Sequence, residues 1–176
     1  KDFDMRLVGG RAYSSNTLES GWIPSPLPAV YSGEGTKAFR EWSGANSYAA
    51  KASIGGSFVS DNIEDYYLTP WDLGYGPFVK FDHDFIGRAA LEQMKDEPHR
   101  RKVTLEWNAE DVLAVERSIL SGVDNGKFME TPNAHYAAHP YDMVIKDGRM
   151  VGLSTYPCYL SVFHQWTSLA TIDEGE

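Results

Sequence analysis

Apolar and polar positions follow two rhythms along this chain. Lys102-Val103-Thr104-Leu105-Glu106-Trp107 alternates at every step, the period of a half-buried strand. Met143-Val144-Ile145 and Met150-Val151 flank Lys146-Asp147-Gly148-Arg149, and Asp-Gly between two apolar runs predicts a tight β-hairpin. Another strand is expected between Ser161 and Thr171. Helical spacing appears in three places. From Lys37 to about residue 52, Phe39, Trp42, Ala45 and Ala49 recur at three- and four-residue intervals behind a possible Thr36 cap. Asp84 is placed to cap a helix over residues 85–95, and Asn108 to cap one over residues 108–120 with Glu110 and Asp111 in its first turn. Tyr66-Tyr67-Leu68 and Phe78-Val79-Lys80-Phe81 read as short strands bounded by Pro70 and by the glycines of Leu73-Gly74-Tyr75-Gly76. The first third, with Ser14-Ser15-Asn16 and the alternate prolines of residues 24–28, reads mainly as turns and extended chain. Short strands dominate after Asp96-Glu97-Pro98, so a domain boundary is expected there, with a small barrel or sandwich beyond it.

Composition narrows the function classes. At 176 residues the chain has room for one domain or two small ones. The net charge of -9 opposes nonspecific binding to nucleic acid or to an anionic membrane. A single cysteine, Cys158, excludes an internal disulfide framework and a cysteine-based zinc cluster. With no apolar run of membrane-spanning length, a soluble cytoplasmic protein is expected. The chain opens on Lys1-Asp2-Phe3 and ends just behind an apolar run, so we expect a piece of a longer protein.

Generic catalytic motifs fail. Gly74-Tyr75-Gly76 lacks the third glycine of a dinucleotide turn, no glycine loop leads into Gly-Lys-Ser/Thr, and no Gly-x-Ser-x-Gly elbow is present. His135 and His139 have the spacing of a helical metal clamp, but Pro132 and Pro140 bracket them and no glutamate follows the first histidine, so two loop histidines are expected and no metal. Asp82-His83-Asp84 is a ligand cluster or, more simply, a polar turn before a helix. Aromatic residues make up 13% of the chain, which fits either a flat heteroaromatic ligand or an aromatic core.

Three stretches go further. Leu68-Thr69-Pro70-Trp71-Asp72-Leu73-Gly74-Tyr75-Gly76, then Phe78-Val79-Lys80-Phe81 and Asp84-Phe85-Ile86-Gly87-Arg88-Ala89-Ala90-Leu91, resemble a signature of the aminomethyltransferase (glycine cleavage T-protein) superfamily. Leu18-Glu19-Ser20-Gly21 resembles its folate-site segment, and Val151-Gly152-Leu153-Ser154-Thr155 a strand of its C-terminal barrel. Asn16 and Thr17 stand where the T-protein has arginine. The residues from Arg6 to Tyr13, with Trp22, Tyr31 and Arg40-Glu41-Trp42, are instead similar to tetrahydrofolate-dependent O-demethylases of methoxylated aromatic acids such as vanillate and syringate.

The resemblance implies an α+β fold in which residues 1–97 form the C-terminal part of a folate-binding domain and residues 98–176 a small β-barrel. It also implies tetrahydrofolate as cofactor, an aromatic small-molecule substrate, and a missing N-terminal portion of the same protein as partner. Loss of a methyl group from an aryl ether leaves a phenolate that must be stabilised, and a tyrosine, with a reference pKa of about 10, matches a phenol. The resemblance places Tyr13 in that catalytic role; the alternative is a buried structural tyrosine. It gives Trp22 to the rings of the folate, or else to the core. Glu19 becomes an acceptor for paired N–H donors of the pterin, or a backbone anchor, and Tyr31 a weaker ligand-side candidate. Two functions compete with O-demethylation. One is aminomethyl transfer of the T-protein type, which the missing arginine disfavours, and the other is a folate-binding module without turnover.

Overall fold

In the computed structural model, residues 4–24, 26–51, 53–129 and 138–176 are described. They form an α+β structure with four α-helices and two sheets. The helices are α1 (Gly10–Glu19), α2 (Lys37–Trp42), α3 (Arg88–Met94) and α4 (Ala109–Ser121). The strands are β1 (Ser53–Gly55), β2 (Arg101–Glu106), β3 (Ala138–Pro140), β4 (Asp142–Lys146), β5 (Arg149–Leu160) and β6 (Gln165–Ile172). β1 and β3 pair in parallel, and the other four make an antiparallel sheet in the order β2-β6-β5-β4. Among the described residues no helix is long and apolar enough to cross a membrane.

The hairpin forms as its turn chemistry requires. Asp147 and Gly148 both take positive φ, 53° and 76°, in a two-residue turn between β4 and β5. β2 and α4 also match their patterns, and the Asn108 side chain accepts from the N–H groups of Glu110 and Asp111.

The barrel expectation is corrected. β2 and β4 are opposite edges of an open sheet and do not pair with each other. Closing a sheet around side chains takes roughly five to eight strands. Here four strands suffice because α1 covers the inner face of β5 and β6 and α4 packs against β6.

β5 owes its length to a bulge. Thr155 pairs with Leu169 and Pro157 with Ser168, so Tyr156 is one residue extra, at φ 54°. The inserted residue switches side-chain parity. Leu153 before it and Cys158 and Leu160 after it therefore all turn to the inner face. Two buried clusters lie on that side. One joins Leu18, Ile23, Tyr156, Cys158, Leu160 and Leu169; the other joins Leu27, Tyr66, Tyr141 and Leu153. The opposite face carries the stacked Trp107 and Trp166, and Trp107 Nε1 donates to Ser168 Oγ at 3.1 Å.

Several local expectations fail for identifiable reasons. The helix begun at Lys37 stops at Trp42, where Ser43 is extended, and none of its residues is buried. Thr36 does not cap it; its hydroxyl donates to Ser32 O and accepts from the Arg40 guanidinium. The expected strand near Tyr66 is a 3₁₀ turn, Ile63–Tyr66, begun by Asn62 accepting from Glu64 N–H. Phe78 ends another such turn, Gly76–Phe78, and among the described residues no strand pairs with residues 79–81. Asp84 is not a cap either. It pairs with Arg88 at 3.2 Å, and Gly87, with φ 92°, opens α3. Asp72 instead organises the preceding turn, accepting from Thr69 N–H and Thr69 Oγ at 2.8 Å each and from Arg100 N–H at 3.3 Å.

Candidate functional site

The segment Gly10–Glu19 has little intrinsic reason to be helical. Ser, Asn and Thr compete for backbone hydrogen bonds, Gly9 supplies no capping side chain, and no acid stands in the first turn. The competition shows in Ser14 Oγ donating to Gly10 O at 3.1 Å and Thr17 Oγ donating to Tyr13 O at 2.7 Å. Packing overrides propensity. Ser14, Thr17 and Leu18 are buried on one face, spaced three and four apart, against β5 and β6.

The end of α1 brings two of the candidate residues together. Gly21 takes φ 67°, its N–H donates to Leu18 O, and Trp22 N–H reaches back to Thr17 O at 2.9 Å. These are the paired bonds of a Schellman stop, which needs a left-handed residue where glycine stands. The reversal carries Trp22 back along the helix until its ring meets Tyr13 edge to face, with centroids 6.2 Å apart and planes at 87°. Both stay open to solvent, Tyr13 at 51% and Trp22 at 39%, while their neighbours Leu18 and Ile23 are buried.

Glu19 lies exposed in the last turn of α1, where no basic residue offsets it and the helix dipole disfavours a carboxylate. Helix stability gains nothing from it. Its charge also reaches the buried Cys158 thiol. Burial, with Glu19 adding to it, pushes that thiol up to about 11.

Tyr31 stands apart from this group, packed against the cluster around Tyr66 and Tyr141. Its hydroxyl donates to Ala49 O at 2.7 Å and its N–H to the Tyr67 hydroxyl at 3.1 Å. Burial, and next the neighbouring Tyr67 and Tyr48, raise its pKa above the ordinary tyrosine value. The structure thus brings Tyr13 and Trp22 into contact, sets Glu19 in the last turn of the same helix, and leaves Tyr31 elsewhere.

Of the histidine pair, His139 is buried in β3, and His135 lies outside the described residues. Asp82 Oδ1 and His83 Nδ1 are 2.7 Å apart on an exposed turn, and that hydrogen bond lowers the Asp82 pKa. Tyr156 was missed at this site. It lies 7% exposed beneath α1, with its hydroxyl 3.5 Å from Ser14 Oγ. Its signal was available: inward residues change from odd to even numbers across Pro157, which cannot donate to a ladder.

An exposed aromatic pair offers ring surface to a flat ligand.

No family model matches the chain. It is 56% identical over 173 residues to syringate O-demethylase of Sphingobium sp., covering 98% of this chain and 37% of that protein. It is 29% identical over 186 residues to sesamin methylene transferase of Sinomonas sp., covering 98% of this chain and 41% of that protein. The chain thus spans well under half the length of the curated relatives it matches. Over nearly all its residues, this chain is a relative of one segment of syringate O-demethylase.

Proposed function

We propose that the full-length protein containing this chain is a tetrahydrofolate-dependent O-demethylase of methoxylated aromatic acids, releasing a phenol and 5-methyltetrahydrofolate. The observation that carries the reading is the 56% identity to syringate O-demethylase across the segment that holds Tyr13, Glu19 and Trp22. Residues 1–97 would complete a folate-binding domain begun by preceding sequence. A reduced folate cosubstrate would place the reaction in the cytoplasm.

When bound, tetrahydrofolate would supply N5 as acceptor of the methyl carbon. The aryl O–CH₃ bond would break with its electron pair left on oxygen as the carbon bonds to that nitrogen, and the proton lost from the nitrogen would balance the one the phenolate gains. Tyr13, half exposed on a helix held from below, presents a phenolic O–H that stabilises the departing phenolate or protonates it. Trp22 offers its ring to the heterocycle, and Glu19 accepts from N–H groups along one edge. An acid at a helix end that disfavours it fits that role.

The test is product analysis with the full-length protein, syringate or vanillate, and tetrahydrofolate. Phenol and 5-methyltetrahydrofolate should appear in equal amounts. Tyr13→Phe should lower kcat about 100-fold, the lower end for losing a positioned proton donor. Demethylation without folate, or wild-type turnover by Tyr13→Phe, would defeat the reading. The similarity to sesamin methylene transferase favours a second outcome, transfer of a methylene unit, which would appear as 5,10-methylenetetrahydrofolate.

A further inference from the structure

We infer that Tyr156 is a positioning residue for Tyr13, acting through Ser14 to fix the first turn of α1; the inference rests on Tyr13 being the phenolic donor. The first turn of α1 lacks support of its own. Gly9 makes no capping bond, and the six residues preceding the helix, 4–9, are all exposed. Beneath this turn the support comes from the sheet.

The contact is built at some cost. Tyr156 occupies the bulge of β5 with φ 54°, a strained region that side-chain-bearing residues seldom adopt. The bulge turns its ring inward among Leu18, Ile23, Cys158, Leu160 and Leu169. Phenylalanine would fill that apolar space without a hydroxyl to desolvate. The hydroxyl instead lies 3.5 Å from Ser14 Oγ, which donates to Gly10 O at 3.1 Å. Ser14 is itself buried. A long 3.5 Å polar contact and a 3.1 Å hydrogen bond therefore link the strained strand through Ser14 to Gly10 O in the first turn of α1. The residue next to Ser14 is Tyr13, whose N–H donates to Gly9 O at 3.1 Å. Movement of this turn would carry the Tyr13 hydroxyl with it, and small displacements of a catalytic group cost rate steeply.

The test uses the full-length protein with Tyr156→Phe, which keeps the ring, and Ser14→Ala as an independent break in the same link. Both should accelerate amide hydrogen exchange in peptides covering residues 10–14 about fivefold, without a matching change in β6. Tyr156→Phe should lower kcat about five- to tenfold, the effect of one net hydrogen bond, with KM for the aromatic acid within about twofold. In a Tyr13→Phe background, Tyr156→Phe should cost no further kcat while its exchange effect persists. Unchanged exchange in residues 10–14 overturns the inference. So does a full additional loss of kcat in the Tyr13→Phe background, which would leave the role of Tyr13 standing. Wild-type turnover by Tyr13→Phe alone would mark the failure of the functional reading itself.

Discussion

Leu18 should decide whether the candidate site has a firm floor. It is 2% exposed within the buried cluster that joins α1 to β5 and β6. Leu18→Ala removes about three methylene equivalents, worth roughly 2.4 kcal/mol in transfer free energy. The surroundings include the strained Tyr156 bulge and Leu169, in the middle of the sheet, so they collapse only partly. A cavity term then brings the cost to about 3 kcal/mol, within the usual range of about 2–5 for buried leucine. Because α1 has weak intrinsic propensity, the loss should appear as local opening of the helix. At about 1.4 kcal/mol per decade, amides of residues 14–20 should exchange roughly 100-fold faster, read by mass spectrometry on the full-length protein under slow-exchange conditions. Leu7→Ala is the control. Its side chain is 101% exposed, so exchange in α1 should shift by no more than about twofold. Acceleration below about threefold in Leu18→Ala would refute the argument that packing on the sheet, and not local sequence, holds this helix.

Two further predictions concern the sheet beneath the site. A Cβ at Gly152 would run into Thr171 O, with Ile172 Cδ1 at 2.8 Å and Ile172 Cα at 3.0 Å. Two of these atoms are backbone of the central strand, so Gly152→Ala should destabilise the protein by about 3 kcal/mol, the upper end for overpacking; a melting temperature within about 2 °C of wild type would contradict it. Cys158 should resist Ellman's reagent at pH 8, since burial and Glu19 hold the thiol near 11 where a free one stands at 9.0. Its contribution to stability should be whole below pH 9 and lost as the pH rises through 11, because the unfolded thiol ionises first. Wild type should therefore lose more stability than Cys158→Ala across that window, and equal losses in urea titrations would count against a buried neutral thiol.

Legibility of the fold followed how local each cause was. The β4–β5 hairpin was readable because two adjacent residues, Asp147 and Gly148, supply the whole turn. α4 was readable because Asn108, Glu110 and Asp111 supply its start within one turn. Tyr66-Tyr67-Leu68 and Phe78-Val79-Lys80-Phe81 misled because a strand exists only with a partner, and none of the four-stranded sheet's edges reaches them. The barrel expectation failed similarly. Strand count could be approximated from turns, but whether β2 meets β4 depends on what covers the sheet faces, and α1, which covers one, read as turn-forming sequence.

At the site the order reverses: chemistry was more legible than geometry. Tyr13, Glu19 and Trp22 could be named from residue types and a family likeness, yet nothing local showed why positions nine apart should touch. Helical rise alone would separate Tyr13 and Trp22 by two and a half turns. It is the left-handed Gly21 that doubles the chain back and sets one ring edge against the other. Tyr31 carries the same phenol, but its hydroxyl is spent on Ala49 O, and no comparable reversal brings it to α1. Residue type therefore nominates candidates here, and the helix stop selects among them. A substitution at Gly21 acts on the site by moving Trp22 while leaving every candidate side chain intact. Because Ile23, the residue after Trp22, is buried in the same cluster as Leu18, the stop that pairs the two rings also returns the chain to the interface that docks the helix, so the two properties share one cause.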